Sequence, residues 1–367
     1  MAHPAYTKII QNLPATVPFV GPEAQERQRG APFKARIGAN ESVFGPSPKV
    51  VAALQEAAAE VWKYCDPDNY DLKHAIAEFH GVGFENVVIT EGIDGGLGLV
   101  NRMLVEAGDT VITSDGAYPT FNFHVAACGG QVVKVPFKED REDINGLLDH
   151  AVKHKAKILY LANPDNPMGT WWGGSDVESL IKALPAGTTF VLDEAYCDTA
   201  PTDALPAIDV SNPMVLRFRT FSKAYGLAGA RIGYCLGEAG VIANFDKVRN
   251  HYGINRLAQI AALAALQDQE YLKQTVARIA AARTRISDIA SANGLSAIES
   301  ATNFVAVDCM RDGDFAQRVM KELLARDVFV RMPAVAPLNR CVRIGTGTPA
   351  DLDVFAQVLP AALEAAV

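Results

Sequence analysis

Thr189-Phe190-Val191-Leu192-Asp193 runs apolar through its middle and stops on a carboxylate. It is short, and it shows no alternation of apolar and polar residues. A short, unbroken apolar run of this kind reads as a strand buried on both faces. Such strands occur where helices cover both sides of a parallel sheet. The same signature recurs on either side of it, at residues 87–90, 110–113, 131–135, 157–161 and 214–218. Between these runs lie helical stretches, one over residues 92–107 and another after Tyr118-Pro119. Strands alternating with helices imply an open, mostly parallel α/β sheet flanked by helices. Ligands of such sheets bind beyond the carboxyl ends of the strands, which is where Asp193 stands.

After Gly237 the pattern turns helical. Residues 271–293 carry apolar residues near helical spacing and end at Asn293-Gly294, a helix stop. Strand candidates at 303–307, 328–331 and 341–344 follow, which suggests a smaller C-terminal α/β domain. Three parts are therefore expected: a Pro-rich N-terminal segment (1–45) lining the site, a large domain (46–265), and a long connecting helix with the small domain (266–367).

The bulk properties narrow the function. The chain has 367 residues, 49% apolar and 21% charged, with a net charge of -8. That balance suits a globular protein and gives no basic footprint for nucleic acid. No apolar run approaches the roughly 20 residues that span a bilayer. Residues 1–11 lack a basic flank followed by an apolar core, so no secretory signal is read there. The cysteines, six in number, are scattered, with no C-x-x-C pair and no zinc-ligand spacing. A reduced, cytoplasmic protein without a metal is the expectation.

The chemistry is concentrated in Thr220-Phe221-Ser222-Lys223-Ala224-Tyr225-Gly226-Leu227-Ala228-Gly229-Ala230-Arg231-Ile232-Gly233-Tyr234. A lysine stands beside hydroxyls, a turn of small residues and an arginine. Its amine can form an imine with an aldehyde, while Thr220, Ser222 and Arg231 can hold a phosphate. Pyridoxal 5'-phosphate (PLP) carries both groups. PLP withdraws electrons best when its ring nitrogen is protonated. A carboxylate beside that nitrogen favours the protonated form, a task Asp193 can serve. Asn166, in the turn Asn163-Pro164-Asp165-Asn166-Pro167, and Tyr196 can donate hydrogen bonds to the phenolic oxygen. Gly92-Ile93-Asp94-Gly95-Gly96 opens a helix whose free N–H groups can bind phosphate. Its glycine spacing is not G-x-G-x-x-G, which argues against a dinucleotide site. Tyr118 can stack on a ring, and Arg343 can pair with a carboxylate.

In this order these motifs resemble the PLP-dependent aminotransferases of fold type I, and within them the histidinol-phosphate aminotransferase group. The likeness runs from Ile37-Gly38-Ala39-Asn40-Glu41 to Arg343-Ile344. It includes Lys63-Tyr64-Cys65-Asp66-Pro67, Tyr118-Pro119, Asn166-Pro167, Asp193-Glu194-Ala195-Tyr196 and Ser222-Lys223. The resemblance implies that Lys223 is the catalytic, cofactor-bearing lysine. It assigns Asp193 to the ring nitrogen, Asn166 and Tyr196 to the phenolic oxygen, and Tyr118 to the ring face. Thr220, Ser222, Arg231, Ile93 and Asp94 would surround the phosphate. Tyr64 would reach the phosphate of a partner subunit, so a homodimer is implied. Asn40, Arg331 and Arg343 would bind substrate.

The chain departs from the group's pattern at Phe19, Gly253, Gly95 and Asp165. Transamination of histidinol phosphate with 2-oxoglutarate is the leading expectation. The alternatives are transamination of aromatic or other amino acids, a PLP decarboxylase or lyase, and a non-catalytic PLP-binding regulator. The last usually carries a DNA-binding segment, which is not seen here.

Overall fold

A computed structural model describes residues 4–15 and 20–367. A two-residue strand, β1 (Ala35–Arg36), follows the N-terminal segment. The large sheet then takes seven strands: β2 (Val87–Thr90), β3 (Thr110–Ser114), β4 (Gln131–Val135), β5 (Ile158–Ala162), β6 (Thr189–Asp193), β7 (Val215–Thr220) and β8 (Gly233–Leu236). Their spatial order is β2-β8-β7-β6-β5-β3-β4. All neighbours pair parallel except β8, which runs antiparallel to both β2 and β7.

Six of these strands match the expected positions to within two residues. β8 does not appear in the sequence reading, because its glycine and its place at the end of the lysine peptide look like loop. It forms because the chain turns straight back after β7 and pairs Thr220 with Gly233. The lysine peptide is thereby a long hairpin loop, pinned at both ends by the sheet. The central strands β5, β6 and β7 are buried at every position. Helices cover both faces, with apolar clusters around Leu97, Phe121 and Phe218 on one side and around Leu147, Leu180 and Phe190 on the other.

The helix Gln269–Ala292 leads to a three-stranded sheet built from β9 (Ser296–Ala297), β10 (Phe304–Asp308) and, beyond the short β11 (Val328–Phe329), β12 (Cys341–Gly345). β11 pairs parallel with β1, so Ala35 and Ile37 join the core of this C-terminal unit with Ile286, Val319 and Phe355. The segment just before residue 40 is fixed from the C-terminal side, and residues 39–41 reach over the ends of the large sheet's strands. Among the described residues, no helix is long and apolar enough to cross a membrane.

Candidate active site

A cavity of about 240 Å³ opens at the carboxyl ends of β2, β3, β5, β6 and β7. Asp193, Lys223, Asn166, Tyr196, Tyr118, Thr220, Ser222, Arg231, Ile93 and Asp94 all line it. These residues, spread in sequence from Ile93 to Arg231, converge because they sit at or just beyond the carboxyl ends of strands that run the same way in one sheet.

Asp193 is buried, and burial pushes its carboxyl up to about 6. Two hydrogen bonds oppose that shift. Tyr160 donates its hydroxyl to Oδ2 at 2.7 Å, and the Ala195 N–H donates to Oδ1 at 2.9 Å. Lys223 Nζ donates to the Asn40 carbonyl at 3.3 Å and lies 5.5 Å from the centre of the Tyr196 ring. Asn40 takes a left-handed φ of 56° and sends its Nδ2 to the Tyr196 hydroxyl at 3.0 Å. Its buried Oδ1 has no partner. Asn303 donates to the same Asn40 carbonyl at 3.1 Å, tying the C-terminal sheet to the site.

Part of the lining carries groups that can bind an anion. The helix Gly92–Leu104 begins without a side-chain cap, so its first N–H groups await an acceptor. Arg231 Nη2 lies 3.7 Å from Asp94 Oδ2, and Tyr118 donates to the same oxygen at 3.1 Å. Thr220 and Ser222 hydroxyls sit 3.0 Å apart. Gly92 has φ +69°, and a Cβ there would lie 2.7 Å from Arg231 Nη2. The glycine is what lets the guanidinium close over the helix start. Gly92→Ala is expected to strain the backbone and displace Arg231, weakening phosphate-ligand affinity about ten-fold, roughly one charge-assisted hydrogen bond. Equilibrium titration of the variant with PLP checks this; unchanged affinity would count against it.

Arg343, on β12, does not point to solvent as an edge-strand arginine usually does. It donates to Asn166 Oδ1 at 2.5 Å, its Nε has no partner, and burial pulls its pKa down to about 10. Arg331 bridges to Arg343 through the backbone and donates to the Val20 carbonyl at 3.0 Å. Tyr64 lies outside this cavity; it is 82% exposed and packs on Tyr252 with ring centres 5.1 Å apart.

The departures from the group pattern have local explanations where they are described. Asp165 is buried and structural, accepting from the Met168 N–H at 2.9 Å and from the Thr170 hydroxyl. The Glu91 side chain occupies the space a side chain at 253 would take, since a Cβ there would meet Glu91 Oε1 at 1.7 Å. A Cβ at Gly95 would lie 2.9 Å from the Glu91 Cβ. Phe19 lies outside the described residues. Tyr160, Glu41 and Asn303 were not singled out in the sequence. The one usable signal was a phenol in the otherwise hydrocarbon strand Ile158-Leu159-Tyr160-Leu161-Ala162.

Burial also shapes stability. Glu142 is pushed up to about 8 and Asp165 to about 7. Each holds a proton in the folded chain that the unfolded chain releases, so stability is lost as pH rises through these values. His80, pulled down to about 3 by burial, has the opposite sign but acts only below its ordinary pKa of about 6.5. Between about pH 6.5 and 8 the cofactor-free protein should lose stability on the order of 2 kcal/mol. Urea unfolding at the two pH values measures it, and Glu142→Gln should flatten the slope.

Comparison with known proteins agrees with this architecture. The aminotransferase class I and II family matches residues 34–359, and the chain belongs to that family. It is similar to histidinol-phosphate aminotransferase 2 of Pseudomonas aeruginosa, at 34% identity over 95% of both chains. It is also similar to histidinol-phosphate aminotransferase 2 of Carboxydothermus hydrogenoformans, at 33% identity over 97% of this chain and 99% of the other. The crystal structure of histidinol-phosphate aminotransferase from Sinorhizobium meliloti, in complex with pyridoxal-5'-phosphate, superposes with a TM-score of 0.97. Its identity is 52%, over 100% of this chain and 99% of that one.

Proposed function

We propose that the protein is a PLP-dependent aminotransferase that exchanges the amino group of histidinol phosphate with 2-oxoglutarate. The observation that carries the chemistry is Lys223 and a buried, doubly hydrogen-bonded Asp193 lining one cavity, beside an uncapped helix start and Arg231. The donor set fits PLP: a primary amine, a carboxylate for the ring nitrogen, and cation, hydroxyl and N–H groups for a phosphate. The names of the relatives support the substrate.

When bound, PLP supplies an electron-withdrawing ring that stabilises negative charge at the substrate's Cα. The chain's residues do the rest. Lys223 would hold the cofactor and serve as the base for the Cα proton. Asp193 would favour the protonated ring nitrogen. Tyr196 and Asn166 would donate to the phenolic oxygen, and Tyr118 would cover the ring. Thr220, Ser222, Arg231 and the N–H groups of Ile93 and Asp94 would hold the phosphate. Arg331 and Asn40 would help bind the substrate, and Arg343 would orient it. Its buried, unpaired Nε supports an anionic ligand, because a buried charge is costly until paired.

We further propose a cytoplasmic homodimer in which residues 46–265 form the cofactor domain and 266–367 the small domain. The exposed Tyr64 and Trp62, 82% and 78% accessible, support a partner surface there. All six cysteines are free.

The test is a donor panel. Purified protein with PLP is offered histidinol phosphate, phenylalanine, tyrosine and aspartate, with 2-oxoglutarate as acceptor. Histidinol phosphate should give the highest kcat/KM. Preference for phenylalanine or tyrosine would move the assignment to an aromatic aminotransferase, and a protein that takes up no PLP would end it.

A further inference from the structure

Tyr160 is fully buried in the middle of β5, and its ring lies flat on Phe121, with centres 4.4 Å apart and planes 17° from parallel. The β5–β6 register pairs Tyr160 with Val191 and Ala162 with Asp193. Alternate residues share a sheet face, so Tyr160 lies on the face of Asp193, one step behind it. Its hydroxyl therefore reaches along the strand direction to Oδ2 at 2.7 Å. Phenylalanine would fill the same volume and stack as well. What the hydroxyl adds is the bond to Asp193, since a buried phenol needs a polar partner.

We propose that Tyr160 is a positioning residue: locked by its stack on Phe121, it holds Oδ2 of Asp193 and keeps the carboxylate turned toward the cavity. This rests on reading the cavity as a PLP site. The bond also acts on charge, because a donor to a carboxylate favours its ionised form. Several ionisable groups surround Asp193. Lys223 favours its charged form, while Asp94 and Glu142 oppose it, and the Tyr118 phenol faces it from just before the helix Pro119–Ala127. Against burial, Tyr160 and the Ala195 N–H are the hydrogen bonds that keep the carboxylate ionised.

Tyr160→Phe in the full-length protein tests this, and the volume-conserving change preserves the stack. Carbon NMR of the cofactor-free protein with labelled aspartate follows the Asp193 carboxyl, identified by its loss in Asp193→Asn. Its midpoint should rise by about one to two pH units on loss of a bond to a charged group. At pH 7, PLP affinity should fall about ten-fold, with the deficit shrinking as pH rises past the new midpoint. The acid limb of kcat/KM should move the same way. A side chain needed only for packing would change the melting temperature in Tyr160→Leu and leave the Asp193 midpoint of Tyr160→Phe where it was; that result overturns the proposal. Failure of the wild-type protein to bind PLP would instead remove the proposed function. The midpoint in the cofactor-free protein would even then decide for or against the Tyr160 coupling.

Discussion

Lys223→Ala is expected to lower transamination by about 10⁴-fold or more, because it removes both the amine that holds the cofactor and the base at Cα. The fold should survive. Lys223 Nζ makes a single hydrogen bond, at 3.3 Å to the Asn40 carbonyl, and Asn303 donates to that same carbonyl. Its loss should change stability by no more than about 1 kcal/mol, as for a substitution that opens no large cavity. Two further measurements separate this role from a general loss of structure. Borohydride reduction of the wild-type protein with PLP should add the cofactor's mass to the peptide containing Lys223, and the variant should take no such label. Small primary amines in solution should restore part of the variant's activity, since they replace the missing group in a cavity whose walls are intact. A label on another lysine, or near-normal turnover by the variant, would remove Lys223 from the mechanism.

The reasons Lys223 could be picked from sequence are local. An amine, two hydroxyls and an arginine within twelve residues make a chemical statement without any fold. The large sheet was legible for a similar reason: strands buried on both faces are written as unbroken apolar runs. What sequence left out was relational. β8 looks like loop until the antiparallel return from β7 is seen, and Ala35 belongs to the C-terminal core only through its pairing with Val328. Arg343 reads as a carboxylate partner, but nothing nearby in sequence shows that it meets Asn166. Tyr160 and Asp193 are 33 residues apart, and only the β5–β6 register brings them onto one face. Tyr64 is the converse case: it was assigned by resemblance, and a single chain leaves it exposed beside Tyr252.

Asp193→Asn should act with opposite signs on activity and on stability. The two side chains have the same shape, but asparagine brings a donor where the site needs an acceptor. The Ala195 N–H, 2.9 Å from Oδ1, requires the amide oxygen on its side. The amide nitrogen must then turn toward Tyr160, whose hydroxyl can accept from it. The edge that faces the cavity therefore offers no negative charge to a protonated ring nitrogen. Turnover should fall about 10²–10³-fold, the usual cost of removing one preorganised electrostatic partner. PLP affinity should fall with it. In the cofactor-free protein the effect reverses. Asp193 is pushed up to about 6 by burial, so at pH 8 the folded chain carries a buried carboxylate that the unfolded chain solvates freely. A neutral amide relieves that cost, and urea unfolding of the cofactor-free variant at pH 8 should show a stability equal to or above wild type. At pH 5, where the wild-type carboxyl is largely protonated, the advantage should shrink. A variant that lost stability at pH 8 as well as activity would mean that Asp193 is a structural residue. The predicted pairing, lower turnover with no loss of stability, is the mark of a charge kept for the cofactor at the fold's expense.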